Sequence, residues 1–320
     1  MKTEKALLVR RYTNKDHDGY LTDIFGSEFE KYRANWEKTS RMEYKPEFPL
    51  CLSIELIDSC NLSCSFCYRG SSKSTKETLG FDRFKRIVDE ASEFGLPSLK
   101  IGMGEPFLEK RILKMVGYAV KKGVMDIIVT TNGSFLTEQM SKDILDSGVS
   151  RLWISVDAST EETYKMMRGG DLESLEQSIK EFLLLREAGD KVLPIVRLSF
   201  VYHRQNQDEV ELFKEKWENV ADYIEIQDWI DISKVDVMQN IDFENVNCAY
   251  PFQLLSVRAN GNIQACCNFF GKHLVMGNIN DLSIKEAWDS EFMERLRKGI
   301  LTKKNISVCK NCFGFKHKQT

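Results

Sequence analysis

Histidine is nearly absent, with four in 320 residues at His17, His203, His273 and His317, each remote from the others. A structural zinc site of the common mixed type, in which histidines join paired thiolates, has few partners here. No apolar run approaches the roughly 18 to 20 residues needed to cross a bilayer, so a spanning helix is excluded. The opening stretch MKTEKALLVRRYTNKD lacks the apolar core and small-residue cleavage site of a signal peptide, and the expected location is cytoplasmic. An excess of charge of one sign is missing as well. The net charge is -3 with scattered basic residues, which speaks against a nucleic-acid or polybasic membrane surface. No repeat or low-complexity tract interrupts an ordinary folded composition, 42% hydrophobic and 29% charged.

Cysteine is what the chain has instead. In a reducing cytosol thiols stay unpaired, so nine cysteines read as metal ligands or catalytic groups rather than disulfides. Cys60, Cys64 and Cys67 form one group in CNLSCSFC, and Cys248, Cys266, Cys267, Cys309 and Cys312 lie in the last quarter. Cys51, at the head of an apolar strand, reads as packing.

Between the groups, short β-branched runs alternate with stretches of helical period. LSIELI (52 to 57), SLKIGM (98 to 103), DIIVTTN (126 to 132), RLWISV (151 to 156), PIVRLSFV (194 to 201) and YIEIQDWI (223 to 230) read as strands. Apolar residues from Phe81 to Phe94 and from Leu172 to Leu183 keep the spacing of amphipathic helices that end near Gly95 and Gly189. Strands separated by single helices imply parallel βα units with right-handed crossovers. Six such units fall short of a closed eight-stranded barrel and suit a partial (β/α)6 TIM-like barrel or a doubly wound sheet. In either, ligands gather beyond the C-terminal strand ends, where the three-cysteine loop lies. The expected division is a helical extension over 1–47, a barrel over 48–240 and a small cysteine-bearing domain over 241–320. The extension, with its helix SEFEKYRANWEKTSR, is expected to cap the barrel. In the last part, FQLLSVRANGNIQACC predicts a hairpin with a type I′ turn at Asn260 and Gly261, followed by a helix over 283–299 and then CKNC. So slight a unit calls for a metal.

Three thiols on one loop leave a closed four-ligand metal site incomplete. A cubane iron-sulfur cluster takes one thiolate per iron, so three would leave one iron open to a small molecule. The C-x3-C-x2-C spacing, with Phe66 before the third cysteine, resembles the signature of the radical S-adenosylmethionine (SAM) superfamily, and the resemblance covers about residues 50 to 232. It implies that Cys60, Cys64 and Cys67 hold a 4Fe-4S cluster whose open iron is chelated by SAM, which is cleaved to a 5′-deoxyadenosyl radical that takes a hydrogen atom from substrate. GMGEP (102 to 106) is similar to the family's Gly-Gly-Glu motif, with Met103 replacing a glycine, and it implies SAM contacts at Gly104 and Glu105. TTNG and ISVDAST resemble segments near the SAM ribose and carboxylate and imply Asn132 and Ser155, with Arg168 as a carboxylate partner. A capping or surface role is the alternative for these three.

The run from Cys248 through Gly261 to Cys266, then Cys309 and Cys312, resembles the auxiliary-cluster domains called SPASM and, when shortened, twitch. It implies that these four thiolates hold a second 4Fe-4S cluster, with zinc on the same set as the alternative. Cys266 and Cys267 face opposite ways if the strand is regular, leaving Cys267 as a buried hydrophobe or a hydrogen-atom donor. The expected reaction is oxidation of a carbohydrate-like or aminocyclitol substrate, suggested by the arginine- and tryptophan-bearing leader helix. Epimerisation through Cys267 and modification of a ribosomal peptide are the alternatives. Expected substrate contacts are Arg197, Asp228 and Asp231, with Asp157 a weaker candidate, and a flavodoxin or ferredoxin is the expected electron donor. Outside this class stand a zinc-stabilised binding protein and a plain electron carrier.

Overall fold

The computed structural model describes residues 10–12, 16–67, 69, 74–229, 248–267, 274–304 and 309. Asp231, Cys312 and the boundary expected at 240 lie outside these residues. In chain order the elements are β1 (Arg10–Tyr12), α1 (His17–Phe25), α2 (Ser27–Ser40), β2 (Cys51–Ile54), α3 (Phe81–Glu93), β3 (Ser98–Ile101), α4 (Ile112–Lys121), β4 (Asp126–Thr131), α5 (Glu138–Ser147) and β5 (Arg151–Ser155). Then come α6 (Glu161–Arg168), α7 (Leu172–Ala188), β6 (Ile195–Tyr202), α8 (Val210–Trp217), β7 (Tyr223–Asp228), α9 (Tyr250–Gln253), β8 (Leu254–Val257), β9 (Asn262–Gln264), β10 (Val275–Asn278), α10 (Ile284–Trp288) and α11 (Glu291–Thr302).

All six expected core strands are present, and β2 to β7 pair in parallel in sequence order. The sheet does not close on itself. Its β7 edge pairs with antiparallel β1, and its β2 edge pairs with β8, which adds a seventh parallel strand. The architecture is a partial barrel, as read from the sequence. The segment from Tyr250 onward shares both sheet and core with it: Leu255, Val257, Ile263 and Trp288 belong to the same apolar cluster as Leu52 and Ile127.

Alternation fixes the two faces. Leu52, Ile54, Leu99, Ile101, Val129, Leu152, Ile154 and Leu198 are fully buried beneath the helices, each contributing about 1.5–3 kcal/mol of hydrophobic stabilisation. The residues between them, including Ser53, Lys100, Thr130, Trp153, Arg197, Ser199 and Glu225, face the lumen.

The N-terminal end of the barrel is shut. Leu21, Phe29 and Tyr32 of α1 and α2 pack with Leu50, Ile195 and Tyr223 in a second apolar cluster, beside Arg151, whose Nε donates to Asp126 at 2.9 Å and whose Nη2 donates to Asp18 at 2.8 Å. The leader helix therefore plugs the foot of the barrel.

Two local expectations change. Gly261 alone has positive φ, at 89°, and Asn260 does not, so the β8–β9 connection is a longer turn closed by Arg258 N–H to Asn262 O at 2.9 Å instead of a type I′ turn. A Cβ on Gly261 would stand 2.8 Å from Asn278 Oδ1, a second reason for glycine there. The single helix expected over 283–299 is two, because the Ser290 side chain accepts from Met293 N–H at 3.3 Å and caps α11 anew.

Candidate functional site

The loop that follows β2 crosses the mouth of the barrel and is tied down on three sides. Ser65 N–H donates to Met167 O of α6 at 2.8 Å, Asn132 Nδ2 at the end of β4 donates to Asn61 Oδ1 at 2.8 Å, and the Trp229 indole beyond β7 donates to Phe66 O at 3.3 Å. Cys60, Cys64 and Cys67 are all partly buried in this loop, and a turn brings Cys67 N–H to Cys64 O at 3.1 Å.

The thiols are close enough to act on one another electrically. Burial pushes Cys64 up to about 11; Arg168 pulls the other way, while Asp157, Cys67 and Cys60 add to the rise. Cys67 is raised as well, first by burial. Such thiols keep their protons near neutrality unless a metal displaces them. Among the described residues no three of His, Cys, Asp or Glu converge as ligands of a single ion would. Three partly buried thiols on one loop are a donor set chemically suited to an iron-sulfur cluster, in which each thiolate holds a different iron.

Gly104 stands where only glycine fits. A Cβ there would meet the carbonyl oxygens of Ser59 and Ile57 at 2.6 and 2.8 Å, both main-chain atoms of the β2 loop. Met103 takes φ of 72°, a conformation that is strained by about 1–3 kcal/mol for a side chain of its kind. It is held there by Arg69 Nη1, which donates to Met103 O at 2.7 Å, and by Arg258 Nη1 against its sulfur at 3.1 Å. Glu105 is buried and engaged: it accepts from Phe107 N–H (3.2 Å), Thr131 Oγ1 (2.9 Å) and Asn132 N–H (2.8 Å), and burial raises its pKa against those bonds. It locks the end of β3 to the end of β4. Asn132 also places Nδ2 3.8 Å from Cys60 Sγ, so it orients the cysteine loop.

Arg168, the last residue of α6, is 5% exposed and pairs with Asp157 Oδ2. Burial works to lower its pKa, and Asp157, followed by Cys64, outweighs that and raises it. Its Nε has no hydrogen-bond partner among the described residues. Asp157 is committed to the fold, with φ of 64° and Oδ1 accepting from Val201 N–H at 2.7 Å. Ser155 is half-buried on the lumen face, opposite Ser199. Asp228 ends β7 opposite Tyr202, and Arg197 lies inside the lumen with Nη1 donating to Glu225 Oε1 at 2.6 Å.

Cys248, Cys266 and Cys309 are partly buried and pack on the main core. The strand β9 runs back toward the foot, so Cys266 and Cys267 lie beyond it at the end of the barrel away from the mouth. Cys267 acts electrostatically on Cys51, whose buried thiol is pushed up to about 12 by desolvation. None of the eight described cysteines is in a disulfide.

Several residues of the site escaped the sequence reading. Glu55 (2% exposed) accepts from Arg69 of the cysteine loop at 2.9 Å, from Arg258 at 3.1 Å and from Ala259 N–H at 3.1 Å. Burial raises its pKa against the pull of Arg258 and Arg69. Lys100, Trp153, Glu225 and Gln227 line the lumen, and their signal was present in the largely polar alternate positions of the strands.

Comparison with known proteins bears on all of this. The Radical SAM superfamily profile matches residues 54–216, and an iron-sulfur cluster-binding domain profile, SPASM, matches residues 248–313. Similar curated proteins include probable GTP 3′,8-cyclases of Methanococcus vannielii (31% identity, 41% of this chain and 44% of the relative) and Pyrococcus abyssi (32%, 50% and 50%). A GTP 3′,8-cyclase of Alkaliphilus metalliredigens is 29% identical over 58% of this chain and 56% of the relative. The chain thus spans about half the length of the curated relatives it matches. Among solved structures, anSMEcpe with bound AdoMet aligns at a TM-score of 0.62 with 16% identity, covering 85% of this chain and 92% of that one. BtrN in complex with AdoMet and 2-DOIA aligns at 0.54 with 21% identity, covering 83% and 93%. At these identities the structures speak for the fold alone.

The relatives correct one expectation. Dehydrogenation of a carbohydrate-like or aminocyclitol substrate, with epimerisation or peptide modification as its variants, gives way to relatives named as cyclases of GTP. The cue behind it has a different physical meaning: Trp36 and Arg33 sit on α2 at the foot, where Arg33 pairs with Asp18 at 2.9 Å and Trp36 O accepts from Gln253 at 3.3 Å. No helix among the described residues is long and apolar enough to cross a membrane. Because the profile spans half of the chain and takes in the loop that gathers the three thiols, this chain belongs to the radical SAM superfamily, and with the second profile this implies SAM and two 4Fe-4S clusters as its cofactors.

Proposed function

We propose that this chain closes a ring within a small molecule held in the barrel lumen, with GTP as the first substrate to test. The observation that carries the reading is geometric: the three-thiol loop lies across the mouth of a lumen lined by polar side chains. The relatives' names supply the reaction class.

In this proposal Cys60, Cys64 and Cys67 hold one cluster, and Cys248, Cys266, Cys309 and Cys312 hold the other. Phe66, Gly104, Glu105, Asn132, Ser155 and Arg168 surround the SAM site. When bound, the cluster and SAM together supply a hydrogen-abstracting radical. The protein's own part is positional. Gly104 lets the β3 loop lie against the backbone of the cysteine loop, and Asn132 and Glu105 fix that loop to β4. Arg168 offers its unpartnered Nε toward a carboxylate. The N-terminal extension, residues 1–47, acts through α1 and α2 at the foot, residues 48–240 hold the SAM chemistry, and residues 241–320 bring the second cysteine set. Flavodoxin or ferredoxin is the proposed donor and the cytoplasm the proposed setting, in keeping with the free thiols of the eight described cysteines.

Ring closure by loss of one hydrogen atom, followed by return of one electron and one proton, gives a product of the same mass as the substrate. Anoxically reconstituted enzyme, reduced and supplied with SAM, is expected to form 5′-deoxyadenosine faster with GTP and to yield an isomer of GTP by mass spectrometry. No stimulation by GTP, or a product two mass units lighter, would sink the reading.

A further inference from the structure

The lumen holds more hydrogen-bonding groups than the described residues satisfy. Thr130, Trp153 and Arg197 stand side by side on its face in adjacent strands, with Ser199 two residues nearer the mouth. Over the Trp153 ring lie the Arg197 guanidinium carbon, 3.6 Å from the centroid, and the Lys100 ammonium at 4.8 Å. Glu225 answers the charge of Arg197 and also accepts from Gln227. No carboxylate among the described residues pairs with Lys100. Thr130 Oγ1, Trp153 Nε1 and Ser199 Oγ are buried without a hydrogen-bond partner among the described residues, and Ser199 is 5% exposed.

The chemistry of these groups is one-sided. An ammonium and an indole N–H can only donate, and two hydroxyls can donate in the same direction. Two cations on one aromatic ring repel each other in a medium of low dielectric, and an anion beside them relieves that repulsion. A neutral polyol would satisfy the hydroxyls and leave Lys100 uncompensated.

We propose that the lumen is an anion-binding site, in which Lys100, Trp153 Nε1, Thr130 Oγ1 and Ser199 Oγ, with Arg197 alongside, grip a phosphate or carboxylate group of the substrate. The assignment rests on the reading above only in taking the lumen as the substrate's place, and it selects acidic substrates over neutral ones.

The test is calorimetric binding to the reconstituted holoenzyme with SAM present, using inorganic tripolyphosphate, citrate, GTP and guanosine as probes. Wild type is expected to bind tripolyphosphate or citrate, whichever matches the group it evolved for, and to bind GTP more tightly than guanosine if phosphate is that group. Lys100→Met is expected to weaken the anion about tenfold or more, and Lys100→Arg to recover most of the loss. Ser199→Ala, a smaller change in a strand, is expected to weaken it in the same sense. Binding of neither anion by wild type, or equal anion binding by wild type, Lys100→Met and Ser199→Ala, overturns the proposal. Anion binding that depends on Lys100, together with no effect of GTP on 5′-deoxyadenosine formation, would remove GTP as substrate and leave the anion site standing.

Discussion

The two ends of the barrel are built on opposite principles. At the foot, charges are matched: Arg151 reaches both Asp126 and Asp18, Ser150 Oγ adds a bond to Asp126 at 2.8 Å, and apolar side chains from α1 and α2 seal the end. At the mouth, backbone is strained at Met103 and Asp157, a loop of three partly buried thiols, two of them raised, lies across the opening, and the buried Arg168, like Arg33 at the foot, keeps a nitrogen with no hydrogen-bond partner among the described residues. Satisfied polar groups specify a structure. Unsatisfied ones are held in place by it and are left for something else to complete.

The sharpest break of this contrast is at the mouth. Cys64→Ala should lower SAM cleavage by more than about a thousandfold, about 4 kcal/mol of barrier, and should shift the melting temperature little in apoprotein. Iron counting and 5′-deoxyadenosine release check it, and normal cleavage by this variant would refute the loop's role. At the foot the effect is on stability: Arg151→Met leaves Asp126 buried beside one lost partner and should cost about 3–5 kcal/mol in denaturant unfolding, with cleavage per folded molecule retained. An unchanged unfolding midpoint would show that the foot does not depend on its ion pairs.

Gly104→Ala ranks next. Its new methyl group must push the β2 loop away from the β3 loop, and the misplacement is expected to lower SAM turnover about a hundredfold. A rise in the SAM concentration needed for half-saturation would accompany it. At neutral pH the smallest effect is that of Cys51, whose contribution shows only in alkaline solution. The Cys51 thiol moves from an ordinary value of 9.0 to about 12 in the fold, so the unfolded chain loses its proton first. Stability from this group is complete below pH 9 and falls by up to about 1.4 kcal/mol per pH unit between 9 and 12. Comparing wild type with Cys51→Ala across that window in urea isolates it, and parallel curves would contradict the assignment.

Legibility followed sequence distance. The spacing of Cys60, Cys64 and Cys67 is local, so the metal character of the loop could be read directly, and the six parallel strands followed from their helical separators. The polar lumen was also written in the strands, as Ser98 and Lys100, Arg151, Trp153 and Ser155, Arg197 and Ser199, Glu225 and Gln227. Alternation shows that such residues share a face, yet not whether that face turns inward. The leader helix misled because its composition does not say which end of the barrel it covers. The split between α10 and α11 was visible in principle at Ser290, a residue type that favours starting a helix over continuing one.

By itself, the sequence determined the βα order, the cysteine spacing and the alternation, because each depends on residues within a few positions of one another. Only the tertiary structure decided that Glu55 bridges Arg69 and Arg258, that Lys100 and Arg197 share one tryptophan ring, and that α2 seals the foot. Those contacts join residues far apart along the chain, up to 204 positions for Glu55 and Ala259, and depend on how the sheet curves and which edge β8 joins.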